Sequence, residues 1–195
     1  MPRPAKYDRT TMLDRALDLF WTKGYEATSV HDLLAGLDIH RGTLYDSFGD
    51  KHSLFMEVLA HYQQNVGTKL LHVLAQPGSK KQAIHRLFQM LIDNVGTANG
   101  RRGCLLTNTA MELAQCDAQV ATAVDQYQGL LLEAFRLALA EAQAAGEIPP
   151  RTPEQLQVLA QYLLSNLQGL RVLARTNATV AELHQVAHIA LKALD

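Results

Sequence analysis

Residues 13–30, LDRALDLFWTKGYEATSV, and residues 41–55, RGTLYDSFGDKHSLF, decide the fold. In the first, Leu13, Ala16, Leu17 and Phe20 recur at three and four residues, one apolar stripe of an α-helix. Lys23-Gly24 then supplies a last-turn cation and a glycine able to take the left-handed turn that ends it. Thr28-Ser29 offers an N-cap with Asp32 three residues after Ser29, so a second short helix is predicted from Val30 to Gly36, burying Val30, Leu33 and Leu34. A third, over Ile39 to Phe48, turns Ile39, Leu44 and Phe48 inward and leaves His40, Arg41, Thr43 and Tyr45 outside, the arrangement of a recognition helix. Asp50 caps a fourth helix whose Leu54, Val58, Tyr62 and Val66 follow a near four-residue step, reaching Ala75 as one long rod before Pro77-Gly78.

Working outward, the same period continues to the C-terminus. Helices are expected near 79–96, 103–115, 118–145, 153–175 and 179–194, punctuated by Gly100, Asp117, Pro149-Pro150 and Asn177. No stretch alternates with the period of two that a strand requires, so the fold class is all-α. The last two helices carry Leu163, Leu167, Leu170, Leu183, Val186, Ala190 and Leu191, enough apolar surface for a four-helix homodimer seam, part of which packing inside one subunit also accounts for.

Composition excludes several classes. With 48% hydrophobic and 19% charged residues among 195, the chain can bury a core and disorder is not expected. Neither a membrane-length apolar stretch nor a signal-peptide segment is visible, which predicts a cytoplasmic protein without membrane contact. Cys104 and Cys116 are too few and wrongly spaced for a disulfide framework or zinc site. A net charge of -1 argues against nonspecific coating of nucleic acid but permits a locally basic site.

The quoted head resembles the DNA-binding domain of the tetracycline-repressor (TetR) family. Gly24-Tyr25 and Thr28-Ser29-Val30 match the elements that close its first helix and open its second. Gly42-Thr43-Leu44-Tyr45 matches the recognition helix, Phe48 its core anchor, and Lys51 a phosphate contact. Asp38 stands where the turn usually has glycine and His40 where a small residue often opens the recognition helix. RRGCLLTNTAMELAQCD, residues 101–117, is similar to the N-ethylmaleimide-sensing branch. The resemblance implies a ligand-responsive transcriptional repressor, with a helix-turn-helix head at 1–50 and an effector-binding, dimerising helical bundle at 51–195 joined by the helix near 50–75.

Its partners would be a palindromic double-stranded operator, an unknown small-molecule effector and a second copy through the last two helices. Thr28, Ser29, His40, Arg41, Gly42, Thr43, Tyr45 and Lys51 are the candidate DNA-binding residues. Arg41 is suited to guanine or phosphate, Thr43 to a thymine methyl or phosphate, and the second helix's N-terminus to phosphate. The resemblance assigns Tyr45 and Lys51 to phosphate. Arg3, Lys6 and Arg9 read as an arm along the backbone or minor groove.

For the effector, Asn108, Met111, Glu112, Tyr127, Phe135, Tyr162 and Asn166 are candidate lining residues between body helices. Cys104 is a candidate sensor thiol, because a helix start and the preceding Arg101 and Arg102 favour thiolate, with an apolar core cysteine as the other reading. Cys116 beside Asp117 is less suited. No cofactor is expected. A metal-binding helical enzyme would have to rest on His184 and His188, an incomplete site, and a protein-interaction bundle without DNA binding is the remaining alternative.

Overall fold

The computed structural model describes residues 8–97 and 100–195, and among them every regular element is helical. Ten α-helices follow in order: α1 Arg9–Lys23, α2 Val30–Leu37, α3 Arg41–Phe48, α4 Lys51–Tyr62, α5 Thr68–Ala75, α6 Lys80–Val95, α7 Leu105–Leu113, α8 Ala118–Ala144, α9 Pro153–Leu173 and α10 Val180–Leu191. The expected all-α architecture stands.

Local signals set the head. Asp8 accepts the Thr11 amide to open α1, and Gly24, at φ 88°, closes it. The stripe of α1 is rotated from the sequence reading: Met12, Ala16 and Phe20 are buried, while Leu13 and Leu17 flank the core half-buried. Phe20 decides the rotation by meeting Phe55 of α4 edge-on at 4.9 Å. Ser29 and Asp32 form a complete capping box on α2, whose deepest residues are Leu33 and Leu37 rather than Val30 and Leu34. α3 begins at Arg41, two residues later than expected, with Ile39, Leu44 and Phe48 in the core as predicted.

The predicted single rod from 50 to 75 is interrupted. A π-helical turn, Gln63–Gly67, separates α4 from α5. A Cβ on Gly67 would sit 2.6 Å from the Tyr127 ring on α8, so this residue has no room for a side chain. Such a widened turn is a tertiary adjustment with no signature in hydrophobic period. Below it, Lys80 donates to the Leu74 and Gln76 carbonyls, placing a cation at the C-terminal end of α5.

In the body, α8 packs along α9, α5 and α6 close one side, and α10 lies on α6 and α9. Thr152 and Thr179 form capping boxes with Gln155 and Glu182 at the starts of α9 and α10. Leu163, Leu167, Leu170, Leu183, Ala190 and Leu191 are all buried within the subunit, which corrects their assignment to a dimer seam. Of that set only Val186 is exposed, and it shares the outer surface of α9 and α10 with Val158, Tyr162, Val172 and Ile189.

Asp38 adopts the left-handed conformation, φ 56° and ψ 48°, as its place in the turn requires. Its amide donates to Ala35 and Leu34. A β-branched residue pays a larger steric penalty there. Asp38→Val is expected to lower stability by about 1–2 kcal/mol in urea denaturation, whereas Asp38→Gly leaves it within about 1 kcal/mol of wild type.

Candidate nucleic-acid interface and its link to the body

The exposed surface of α3 is built from residues that the core does not need. His40 is its N-cap but makes no side-chain cap bond, unlike Asp8, Ser29 and Asp50 at the other three head helices. The first-turn amides of α3 are therefore not satisfied by a cap and can face an anion. Arg41 and Tyr45 lie one turn apart with the guanidinium 5.9 Å from the ring centre, and Tyr45 is 44% exposed. Thr43 is half-buried.

Gly42 is informative because nothing lies within 4 Å of where its Cβ would be. Glycine in a helix costs about 1 kcal/mol relative to alanine, and no intramolecular contact here requires it. The position keeps the helix surface flat for close approach by another molecule.

Lys51, at the start of α4, is half-buried with Nζ 4.2 Å from the Tyr25 ring centre. Ser29 donates its hydroxyl to Asp32 and accepts that residue's amide, so its side chain is engaged in the capping box. The Lys23 ammonium and then the Ser29 hydroxyl and amide hold the Asp32 carboxyl far below the usual carboxylate range. Thr28 is fully buried, its hydroxyl donating to the Gly24 carbonyl and its amide to Tyr25, which removes it from any outward contact. Arg9 is likewise not an arm. It pairs with Glu57 at 2.7 Å, donates to the Ser47 carbonyl and covers the Phe48 ring. Arg3 and Lys6 lie outside the described residues.

The head is clasped to the body at several points. Glu112 of α7 accepts the Tyr25 amide at 3.1 Å and the Glu26 amide at 2.8 Å. A Cβ at residue 24 would lie 3.0 Å from the Glu112 carboxylate, so Gly24 serves both its positive φ and this approach. His52 meets Asp117 at 2.7 Å, and Arg102 pairs with Asp18 at 2.8 Å while lying over the Trp21 ring.

This head, with a tight turn and an exposed α3, and the α-helical body into which its fourth helix runs are each matched by a family model. "Bacterial regulatory proteins, tetR family" covers residues 7–58, and "Tetracyclin repressor-like, C-terminal domain" covers 81–190. The chain belongs to the tetR family of bacterial regulatory proteins. The regulator is 30% identical over its full length to the uncharacterized HTH-type transcriptional regulator YezE of Bacillus subtilis, covering 100% of both chains. It is also 30% identical to the HTH-type transcriptional repressor ComR of Escherichia coli, over 97% of this chain and 90% of ComR. Among solved structures, a cysteine mutant of the TetR regulator CifR in complex with 26-bp operator DNA matches with a TM-score of 0.89 at 30% identity, covering 99% of this chain and 100% of that one. Reduced Escherichia coli NemR, at 17% identity and TM-score 0.78, shares the fold. These relatives make the chain a transcriptional regulator and not an enzyme.

The expected effector residues separate into three places. Asn108, Met111 and Glu112 line a crevice of about 320 Å³ between α1 and α7, with Met111 79% exposed. Tyr162 and Asn166 sit on the outer side of α9, the Asn166 amide donating to the Tyr162 carbonyl. Cys104, Tyr127 and Phe135 are interior.

Cys104 is the N-terminal cap of α7, only 2% exposed, and its Sγ accepts the Tyr62 hydroxyl at 3.6 Å. The cation beside it is not the expected one. Arg101 turns to the Thr176 and Ala178 carbonyls and Arg102 to Asp18, while Arg171, from α9, supplies the charge. Burial opposes thiolate, but Arg171, Thr107 and Tyr62 outweigh it and the thiol ends below its ordinary value. The regular step Leu163, Leu167, Arg171 was the available signal for this residue, since it places a charge on a buried leucine stripe. Cys116 is exposed in the turn after α7. His184 reaches Asp93 at 3.1 Å, and among the described residues no group of three potential metal ligands gathers.

Glu112→Ala removes one acceptor from two head amides. Amide exchange at Tyr25 and Glu26 should accelerate and stability fall by about 1–2 kcal/mol, measured by hydrogen exchange and denaturant unfolding.

Proposed function

We propose that the regulator is a cytoplasmic homodimeric repressor that occupies a palindromic double-stranded operator through α3 and leaves it when a small molecule or electrophile engages the body. The reading rests on the full-length likeness to CifR, a protein solved on operator DNA, together with the exposed polar face of α3 and its open Gly42. Residues 1–50 form the head and 51–195 the effector-binding and dimerisation body, with α4 packed against both. One short helix reads few base pairs, so two heads act together on related half-sites. The exposed apolar surface of α9 and α10, with Val158, Tyr162, Val186 and Ile189, supports the dimer seam.

Arg41 and His40 stand where base edges would be read, and Thr43 beside them suits a thymine methyl or a phosphate. Tyr45, Lys51 and the Ser29 end of α2 position the phosphate backbone. Gly42 lets the helix approach closely. A ligand changes occupancy only by its different affinity for the operator-competent and released states, and operator DNA must weaken that ligand by the same factor. The clasp of Glu112, His52 and Arg102 is the means by which movement of α7 reaches the head.

Selection of bound sequences from random DNA should return a palindrome. On it, Arg41→Ala should cost about 1–3 kcal/mol of specific affinity, while Lys51→Ala weakens all sequences and flattens the salt dependence. Gly42→Ala should stabilise the fold by about 0.5–1 kcal/mol yet weaken operator binding. Unpaired half-sites, or unchanged affinity in all three variants, would count against the interface.

The electrophile route runs through Cys104, supported by its lowered thiol and neighbouring Arg171. Mass spectrometry after treatment with a quinone should find Cys104 modified in step with operator release, and Cys104→Ser should remain bound. Release that persists in Cys104→Ser leaves the reversible small molecule as the inducer.

A further inference from the structure

Arg171 is a buried guanidinium that no carboxylate neutralises among the described residues. It is 7% exposed, and its Nη1 has no hydrogen-bond partner among them. Removing a guanidinium from water without compensation costs several kcal/mol. Its polar surroundings are the Tyr62 and Tyr127 hydroxyls and the Cys104 thiol. Burial pushes Tyr127 up to about 12 and Tyr62 well above its usual value, so both phenols stay protonated donors.

Among the described residues three further buried donors lack acceptors: the Tyr127 hydroxyl, the Trp21 indole N–H and the Arg102 Nε. Trp21 and Arg171 both line a cavity of about 70 Å³, walled on its apolar side by Ile92, Leu170 and Leu183. Unpaired donors around a guanidinium call for a ligand that only accepts, and the apolar wall calls for a hydrocarbon tail. A space this small limits such a ligand to a few heavy atoms.

We propose that this chamber binds a short-chain organic carboxylate, its two oxygens on the Arg171 guanidinium and the Trp21 N–H, as the reversible effector of the regulator. The assignment deepens the ligand-responsive reading of the body and rests on it. Trp21 belongs to α1 of the head, Tyr62 to α4 and Arg171 to α9, so an anion held there joins the head to the body core. The Arg102 guanidinium over the Trp21 ring links the same residue to the clasp with Asp18.

Trp21 is the only tryptophan in the chain, so its emission reports on the chamber directly. The full-length protein, free of DNA, is titrated at pH 7 and constant ionic strength with sodium acetate, propionate and butyrate, with propionamide as the uncharged match and chloride as the inorganic control. Saturable change with at least one carboxylate, none with propionamide, and at least tenfold weaker binding in Arg171→Met are expected. The comparison of carboxylate with amide uses wild type alone and holds even if that variant fails to fold.

Equal responses to propionate and propionamide, a chloride response of equal strength, or no saturation with any carboxylate would overturn the proposal. Binding that appears only in Cys104→Ala would make the Cys104 thiolate the partner of Arg171 and overturn it equally. The same anion should then shift affinity for the selected operator. Because the titration contains no DNA, loss of operator binding and loss of anion binding are read separately.

Discussion

The packing of Phe20 against Phe55, closed by Tyr25 at 4.7 Å from the Phe55 ring, is the contact on which the rest of the molecule depends. It fastens α1 to α4, and α4 is the one element that both completes the head and leads into the body. Burying an aromatic side chain of this size contributes on the order of 3–5 kcal/mol, more than any single polar contact in the head. With that pair in place, α2 and α3 can be short. Their caps set where each begins, while Leu33, Leu37, Leu44 and Phe48 hold them on the platform.

The clasp then acts at a different energetic scale. Glu112, His52–Asp117 and Arg102–Asp18 are polar contacts at a partly solvated boundary, each worth about 1 kcal/mol or less to somewhat more, and screened by salt. A boundary of that strength keeps the head oriented yet lets a ligand of ordinary differential affinity move it. Beside the clasp, the apolar core runs on from the head into the body through α4 and Trp21 on Tyr62, so the polar contacts orient the head on packing that the two parts share.

Surface residues show the packing from the opposite side. α3 spends its core positions on Ile39 just before it, Leu44 and Phe48, and its remaining ones on groups that no intramolecular contact requires. Thr28 and Arg9 show where a motif can mislead. Both residue types suit phosphate, and both are consumed inside the head, Thr28 by the Gly24 carbonyl and Arg9 by Glu57. Position in a motif does not reveal whether a donor already has an acceptor.

The sequence by itself determined the all-α class, the helix order, the cap at Ser29 with Asp32, and the inward residues of the third head helix. Each of these follows from neighbours within four positions along the chain. Only the tertiary structure decided the π-helical turn at Gln63–Gly67, set against the Tyr127 ring, and the burial of the leucines of α9 within the subunit. It likewise decided which arginine stands by Cys104. Arg101 and Arg102 are adjacent in sequence but find acceptors elsewhere, whereas Arg171 arrives from a helix packed across the core. Hydrophobic period records how a helix faces its surroundings, not which residue of a distant helix meets it there, and charge pairing at a buried site is set by the second.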